Sequence, residues 1–183
     1  MKSRWFQMRW VLAFVLTVSP LFVITAWGLL LALRPSASLA GQSSTGEIGS
    51  FLGNLCLQPI NESSAQGVAI VQQPCNGSAA QQWTKVQVSG EIYHYVNGLS
   101  GLCLDARGGA ANHTPVQQWT CNKISNENWQ PGDGYNDTIP PLFSRVSGTS
   151  NYCLDEPGGQ TIVGLAMQIY RCNGTVAQDW YTP

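Results

Sequence analysis

The sequence predicts an all-β domain of three similar units, preceded by an N-terminal hydrophobic membrane-targeting helix. Three observations carry this. Six cysteines fall into three evenly spaced pairs, each pair is followed at a fixed distance by a triplet ending in Trp, and no window beyond residue 40 sustains an apolar stripe of helical period. A chain of 183 residues suffices for one domain with a sizeable core plus a targeting segment. Only 10% of residues are charged and 19 are Gly, which argues against a long charged helix or a disordered charged tail and suits a turn-rich extracytoplasmic protein. Beyond residue 40 the chain carries five basic groups against ten acidic, a net of −5. That balance argues against nucleic acid as a ligand, because phosphate backbones are held by clustered Lys and Arg.

The first forty residues address the membrane. Lys2, Arg4 and Arg9 precede an uncharged stretch from Trp10 to Leu33, and Arg34 follows it. At about 24 residues the stretch is long enough to span a bilayer despite Pro20, and a buried core helix of that length would show water no polar face. Ser38 and Ala40 form a small-x-small cleavage site. Residues 1–40 are therefore a signal peptide cut near Ala40 or a retained signal anchor, the length favouring retention. The basic residues before the stretch put everything beyond it outside, so the domain is extracytoplasmic, either membrane-anchored or secreted. Residues 41–47, rich in Gly, Ser and Thr, read as a flexible linker.

Six Cys behind a secretory segment imply three disulfides, and with no C-x-x-C pair and two His, a metal site is not expected. Cys56 and Cys75 are 19 residues apart, Cys103 and Cys121 18, and Cys153 and Cys172 19, so one bridge per repeat is the simplest pairing. The units occupy about 48–90, 91–138 and 139–183. From the second Cys of each unit to the closing triplet is six positions: Cys75 to Gln81, Cys121 to Glu127, Cys172 to Gln178. Runs such as Glu91–Val96 and Ala166–Tyr170 supply β-formers between Gly, Asn, Pro and Ser. Trp83, Trp129 and Trp180 recur once per unit at the same place, which marks them as the shared core of a threefold fold rather than as ligand platforms.

Units of this length closing in Q-x-W resemble the ricin B-type lectin family, also classed as a carbohydrate-binding module family. The resemblance runs over about residues 48–183 and rests on Cys103-Leu104-Asp105, Cys153-Leu154-Asp155, Gln81 to Trp83, Gln178 to Trp180, and Val116 to Cys121. It implies a β-trefoil of twelve strands in three lobes. Glu127 departs from the family's Gln, keeping an acceptor but losing the amide donor.

Sites are sought where the lobes differ. Two residues after the first Cys stand Gln58, Asp105 and Asp155; four before the second stand Val71, Gln117 and Gln168; two before it stand Gln73, Trp119 and Tyr170. Lobes two and three share an acid, an amide and an aromatic. A carboxylate accepts from adjacent sugar hydroxyls, an amide donates and accepts, and a ring stacks on a pyranose C–H face. The resemblance makes Asp105, Gln117, Trp119, Asn126 and Glu127 sugar contacts in lobe two, and Asp155, Gln168, Tyr170 and Gln178 in lobe three, with Asn122 and Asn173 added from xylan-binding members. Lobe two carries the fuller set, because lobe three has Ala177 in place of Asn126. His113 reads as a solvated loop residue.

Catalysis is not expected, since Asp105 and Asp155 occupy equivalent positions of different lobes and no G-x-S-x-G is present. The reading is a non-catalytic lectin for a galactose- or xylan-type glycan, needing no cofactor, with an enzyme partner possible on another chain. A protein-binding trefoil or inhibitor is the alternative, and a glycoside hydrolase accessory chain a further one.

Overall fold

The computed structural model describes residues 43–133 and 139–183. The apolar stretch at 10–33 and the cleavage expected near Ala40 lie outside them. Among the described residues no helix is long and apolar enough to cross a membrane.

The described chain is built from short strands linked by turns and single 3-10 turns. Lobe one comprises β1 (Ser44–Glu47), β2 (Gly49–Ser50), β3 (Leu55–Pro59), β4 (Ile70–Pro74) and β5 (Gln82–Ser89). Lobe two comprises β6 (Ile92–Asn97), β7 (Cys103–Ala106), β8 (Thr114–Trp119) and β9 (Trp129–Pro131). Lobe three comprises β10 (Leu142–Ser144), β11 (Tyr152–Asp155), β12 (Gln168–Arg171) and β13 (Trp180–Tyr181). Counting β1 and β2 as one strand interrupted at Ile48 leaves four strands per lobe.

The pairings obey a threefold rule. Within each lobe the second and third strands form an antiparallel hairpin: β3 with β4, β7 with β8, β11 with β12. Between lobes the last strand of one pairs with the first of the next: β5 with β6, β9 with β10, and β13 back to β2. The last pairing closes the ring, so the first and last strands of the trefoil meet in one sheet. A second set of cross-links joins the hairpins, through Ala69 opposite Gln117, Pro115 opposite Gln168, and Ala166 opposite Val71.

The flexible linker expected at 41–47 is corrected over its last four residues. Ser44 to Glu47 form β1 and pair with Lys85 to Gln82 of β5. The eight-residue β5 would otherwise offer an unpaired edge, and β1 covers it. Ile48 follows, fully buried, and at that point the chain leaves β5 for β3 and β13.

Trp83, Trp129 and Trp180 lie at the centre with Leu57, Leu104 and Leu154. Each indole Nε1–H donates to the carbonyl of the residue after the first Cys: Trp83 to Leu57 at 3.0 Å, Trp129 to Leu104 at 2.9 Å, Trp180 to Leu154 at 3.0 Å. A buried indole needs a partner for its N–H, and the repeat supplies the same one three times. The disulfides are Cys56–Cys75, Cys103–Cys121 and Cys153–Cys172, one per lobe as the spacing predicts.

Candidate functional site

The β-hairpin register explains why acid and amide recur together. Asp105 stands opposite Gln117 across β7 and β8, and Asp155 opposite Gln168 across β11 and β12. Directly cross-strand side chains share a face. Gln117 Nε2 donates to Asp105 Oδ1 at 2.7 Å, and Gln168 Nε2 to Asp155 Oδ2 at 2.7 Å. The lobe-one counterparts, Gln58 and Val71, keep the register without the chemistry.

Behind each acid sits the first residue of the closing triplet. Gln178, 1% exposed, donates from Nε2 to Asp155 Oδ1 at 2.9 Å and to Arg171 O at 3.2 Å, while its Oε1 accepts from the Asn173 N–H at 3.0 Å. Gln81 repeats this in lobe one, holding Gln58 Oε1, Pro74 O and the Asn76 N–H. Glu127 can only accept. Its oxygens take the N–H groups of Asn122 and Lys123 at about 3 Å, and His94 Nε2 lies 3.9 Å away. Glu127 and Gln178 are therefore corrected from sugar contacts to buried clips that position the acid and the turn after the second Cys.

Electrostatics separate the lobes. Burial raises the Asp105 carboxyl above the ordinary aspartate value, the Gln117 bond opposes this, and the Glu127 charge adds to it. Asp155 instead receives one amide N–H on each oxygen, and the remaining lone pairs are open to hydroxyl donors.

The lobes differ in the open space beside the acid. A cavity of about 470 Å³ opens in lobe three, where Asp155, Gln168, Tyr170 and Asn173 line it with His113, Glu156 and Ala177. Ala177 leaves apolar floor where lobe two carries Asn126. A second cavity, of about 360 Å³, lies at Glu47, Asn54, Leu55 and Tyr181, and neither takes in Asp105 or Trp119. The physical reason lies with Trp119. Its ring is packed so closely on Gly67 that a Cβ there would stand 3.2 Å from Cζ3. Asp105 and Gln117 are buried, and Asn122 is exposed with its Oδ1 turned to the Ile124 N–H.

Two lining residues escape the sequence reading. Glu156 is 1% exposed; burial pushes its carboxyl up, the Ser50 side chain opposes this, and the Asp155 charge adds to it. His113 is exposed but leans on lobe three, its Nδ1 3.0 Å from Gln168 Oε1 and its ring edge-on to Tyr170 at 5.1 Å. Three ligand-type side chains, His94, Cys103 and Glu127, also converge, but the Cys103 sulfur is bridged to Cys121 and is no thiolate.

Residues 38–119 match the family described as ricin-type beta-trefoil lectin domain-like. No curated protein sequence matches the chain. Among solved structures, a designed 3-fold symmetric protein, ThreeFoil, is 24% identical with a TM-score of 0.69, over 74% of this chain and 95% of its own. The exo-beta-1,3-galactanase 1,3Gal43A of Clostridium thermocellum is 26% identical with a TM-score of 0.70, over 76% of this chain and 30% of the galactanase. The Macrolepiota procera ricin B-like lectin, solved with lactose, is 24% identical with a TM-score of 0.63, over 75% and 92%. Over residues 38–119 the chain is thus similar to the ricin-type beta-trefoil lectin domain-like family, and its fold is a β-trefoil.

Proposed function

We propose that the domain binds carbohydrate non-covalently, with lobe three as the principal site and lobe two as a lesser one. The observation that carries this is Asp155, pinned by Gln168 and Gln178 beside the half-buried Tyr170 in the wall of an open cavity. Tyr170 offers a face to the pyranose C–H surface, Asp155 accepts from ring hydroxyls, and the side-chain amide of Asn173 reaches the rim. The cavity falls within the usual range of small-ligand sites and is large enough for a monosaccharide with room beyond it. The glycan is of galactose or xylan type, in keeping with the lactose bound by one structural neighbour and the galactanase activity named for another. No catalysis is attributed to the chain, and an enzyme on another chain is the expected source of any hydrolysis. The N-terminal segment directs the domain outside the cytoplasm, as anchor or cleaved signal.

A glycan array on the full chain, with a hydrolysis assay on whatever binds, tests this. Asp155→Ala should remove most binding, Asp105→Ala less, and Gln58→Ala none. A lone shallow site has a Kd on the order of millimolar, near −4 kcal/mol, so losing a charge-assisted bond of about 1.5–3 kcal/mol is decisive. Full binding by a folded Asp105→Ala/Asp155→Ala variant would overturn the reading in favour of a protein-binding trefoil.

A further inference from the structure

Eight positions before the second Cys of each lobe stand Gly67, His113 and Gly164. All three have positive φ, at 79°, 65° and 84°. Each donates its backbone N–H to the same place on another lobe: Gly67 to Gln118 O at 2.8 Å, His113 to Ile169 O at 3.0 Å, Gly164 to Gln72 O at 2.8 Å. The accepting residue precedes the aromatic column, so every lobe lays this residue against another lobe's site. Gly67 accordingly touches Trp119, and Gly164 approaches Gln73. Glycine is the residue such a backbone favours, and two lobes use it. Only lobe two places a side chain there, at the energetic cost of left-handed backbone, and that side chain enters the lobe-three cavity.

The hydrogen bonds fix what the imidazole does. Asp155 as a carboxylate can only accept, so the Gln168 amide must turn Nε2 toward it and Oε1 toward His113. In the neutral ring His113 Nδ1 therefore carries the proton and Nε2 is an acceptor. In lobe two, where Gly67 has no side chain to give, the equivalent Gln117 Oε1 is buried without a protein partner.

Resting on the lectin reading above, we propose that His113 is a specificity residue of the lobe-three carbohydrate site, supplied by the adjoining lobe. Its Nε2 accepts a hydroxyl of the sugar that Asp155 holds, and its ring forms a corner with Tyr170 that selects among sugars by the hydroxyl presented there.

The test uses the full chain with lactose, N-acetylgalactosamine and xylotriose as separate probes. His113→Gly fits the backbone better than the native residue, so its Tm should hold or rise. His113→Asn tolerates the same backbone and keeps an amide donor for Gln168, but lacks the ring. Both should weaken the best-bound probe by about three- to tenfold, the loss of one hydrogen bond, and change the order of preference among the three. In long-range ¹H–¹⁵N spectra that probe should shift the Nε2 signal missing from His113→Gly and leave that of His94 in place. Wild-type affinity and preference in both variants would overturn the proposal, as would retention by His113→Asn alone, which would make His113 a positioning residue for Gln168. If Asp155→Ala loses binding while the His113 variants keep it, the lectin reading stands and this inference falls. Wild-type binding by Asp155→Ala, or none of the probes binding the native chain, would remove both.

Discussion

Gln178 donates to Asp155 Oδ1 across 2.9 Å, and Glu127, in the same place of lobe two, has no hydrogen to give Asp105. One side-chain amide changed to a carboxylate thus turns a clip into a like-charge neighbour. The acid behind one site is pinned on both oxygens, and the acid behind the other is repelled.

Glu127→Gln should therefore make lobe two resemble lobe three. The new Nε2 would donate to Asp105, at the loss of the bond from Lys123 N. The Asp105 carboxyl should fall toward its ordinary range, followed by ¹³C carboxyl titration. A hydrogen bond to a charged group gained and a backbone one lost should leave the fold more stable at neutral pH by about 1 kcal/mol, read as a rise in Tm. An unchanged Asp105 titration would show that Glu127 does not act on it.

Stability should depend on pH in the direction set by buried acids. Burial raises the Asp105, Glu156 and Asp179 carboxyls above their unfolded values of 3.8, 4.5 and 3.8. A raised acid binds its proton more tightly when folded, so its stabilising contribution is complete below the unfolded value and is lost as pH rises through the folded one. As far as these groups decide it, Tm should decline from about pH 4 toward neutrality. Glu156→Gln should flatten that decline and raise Tm at pH 7, because a neutral amide avoids the burial cost of the carboxylate. An identical slope in the variant would count against it.

The three core Trp should be equally costly to lose. Trp83→Ala, Trp129→Ala and Trp180→Ala each delete a buried ring and orphan a leucine carbonyl, and each should destabilise by about 3–5 kcal/mol in denaturant unfolding. A single tolerant position would break the threefold equivalence.

Removing one bridge with Cys103→Ser/Cys121→Ser should cost about 3 kcal/mol, the chain-entropy value for a loop of this length. Non-reducing peptide mapping of the native chain should show the three intra-lobe pairs and no cross-lobe pair.

Much of the architecture was legible because it is written three times. Cysteine spacing, the recurring Trp and the absence of a helical stripe depend on local pattern, and repetition separates pattern from accident. The same alignment found the acid, amide and aromatic columns, since cross-strand partners in a hairpin keep a constant separation in sequence. It also held a signal left unread: Gly67, His113 and Gly164 form a column in which one residue differs. That column says nothing of direction, because contact between lobes is made by residues fifty or more positions apart.

The sequence by itself determined the three units, their bridges and the acid, amide and aromatic columns, all consequences of short-range spacing. Only the tertiary structure decided that residues 44–47 form an edge strand, that Glu127 and Gln178 lie behind the sites, and that the open cavity belongs to lobe three. The physical reason is that exposure depends on what packs opposite. Trp119 rests on Gly67 and closes its lobe, while Tyr170 meets His113 at an angle and leaves a cleft open.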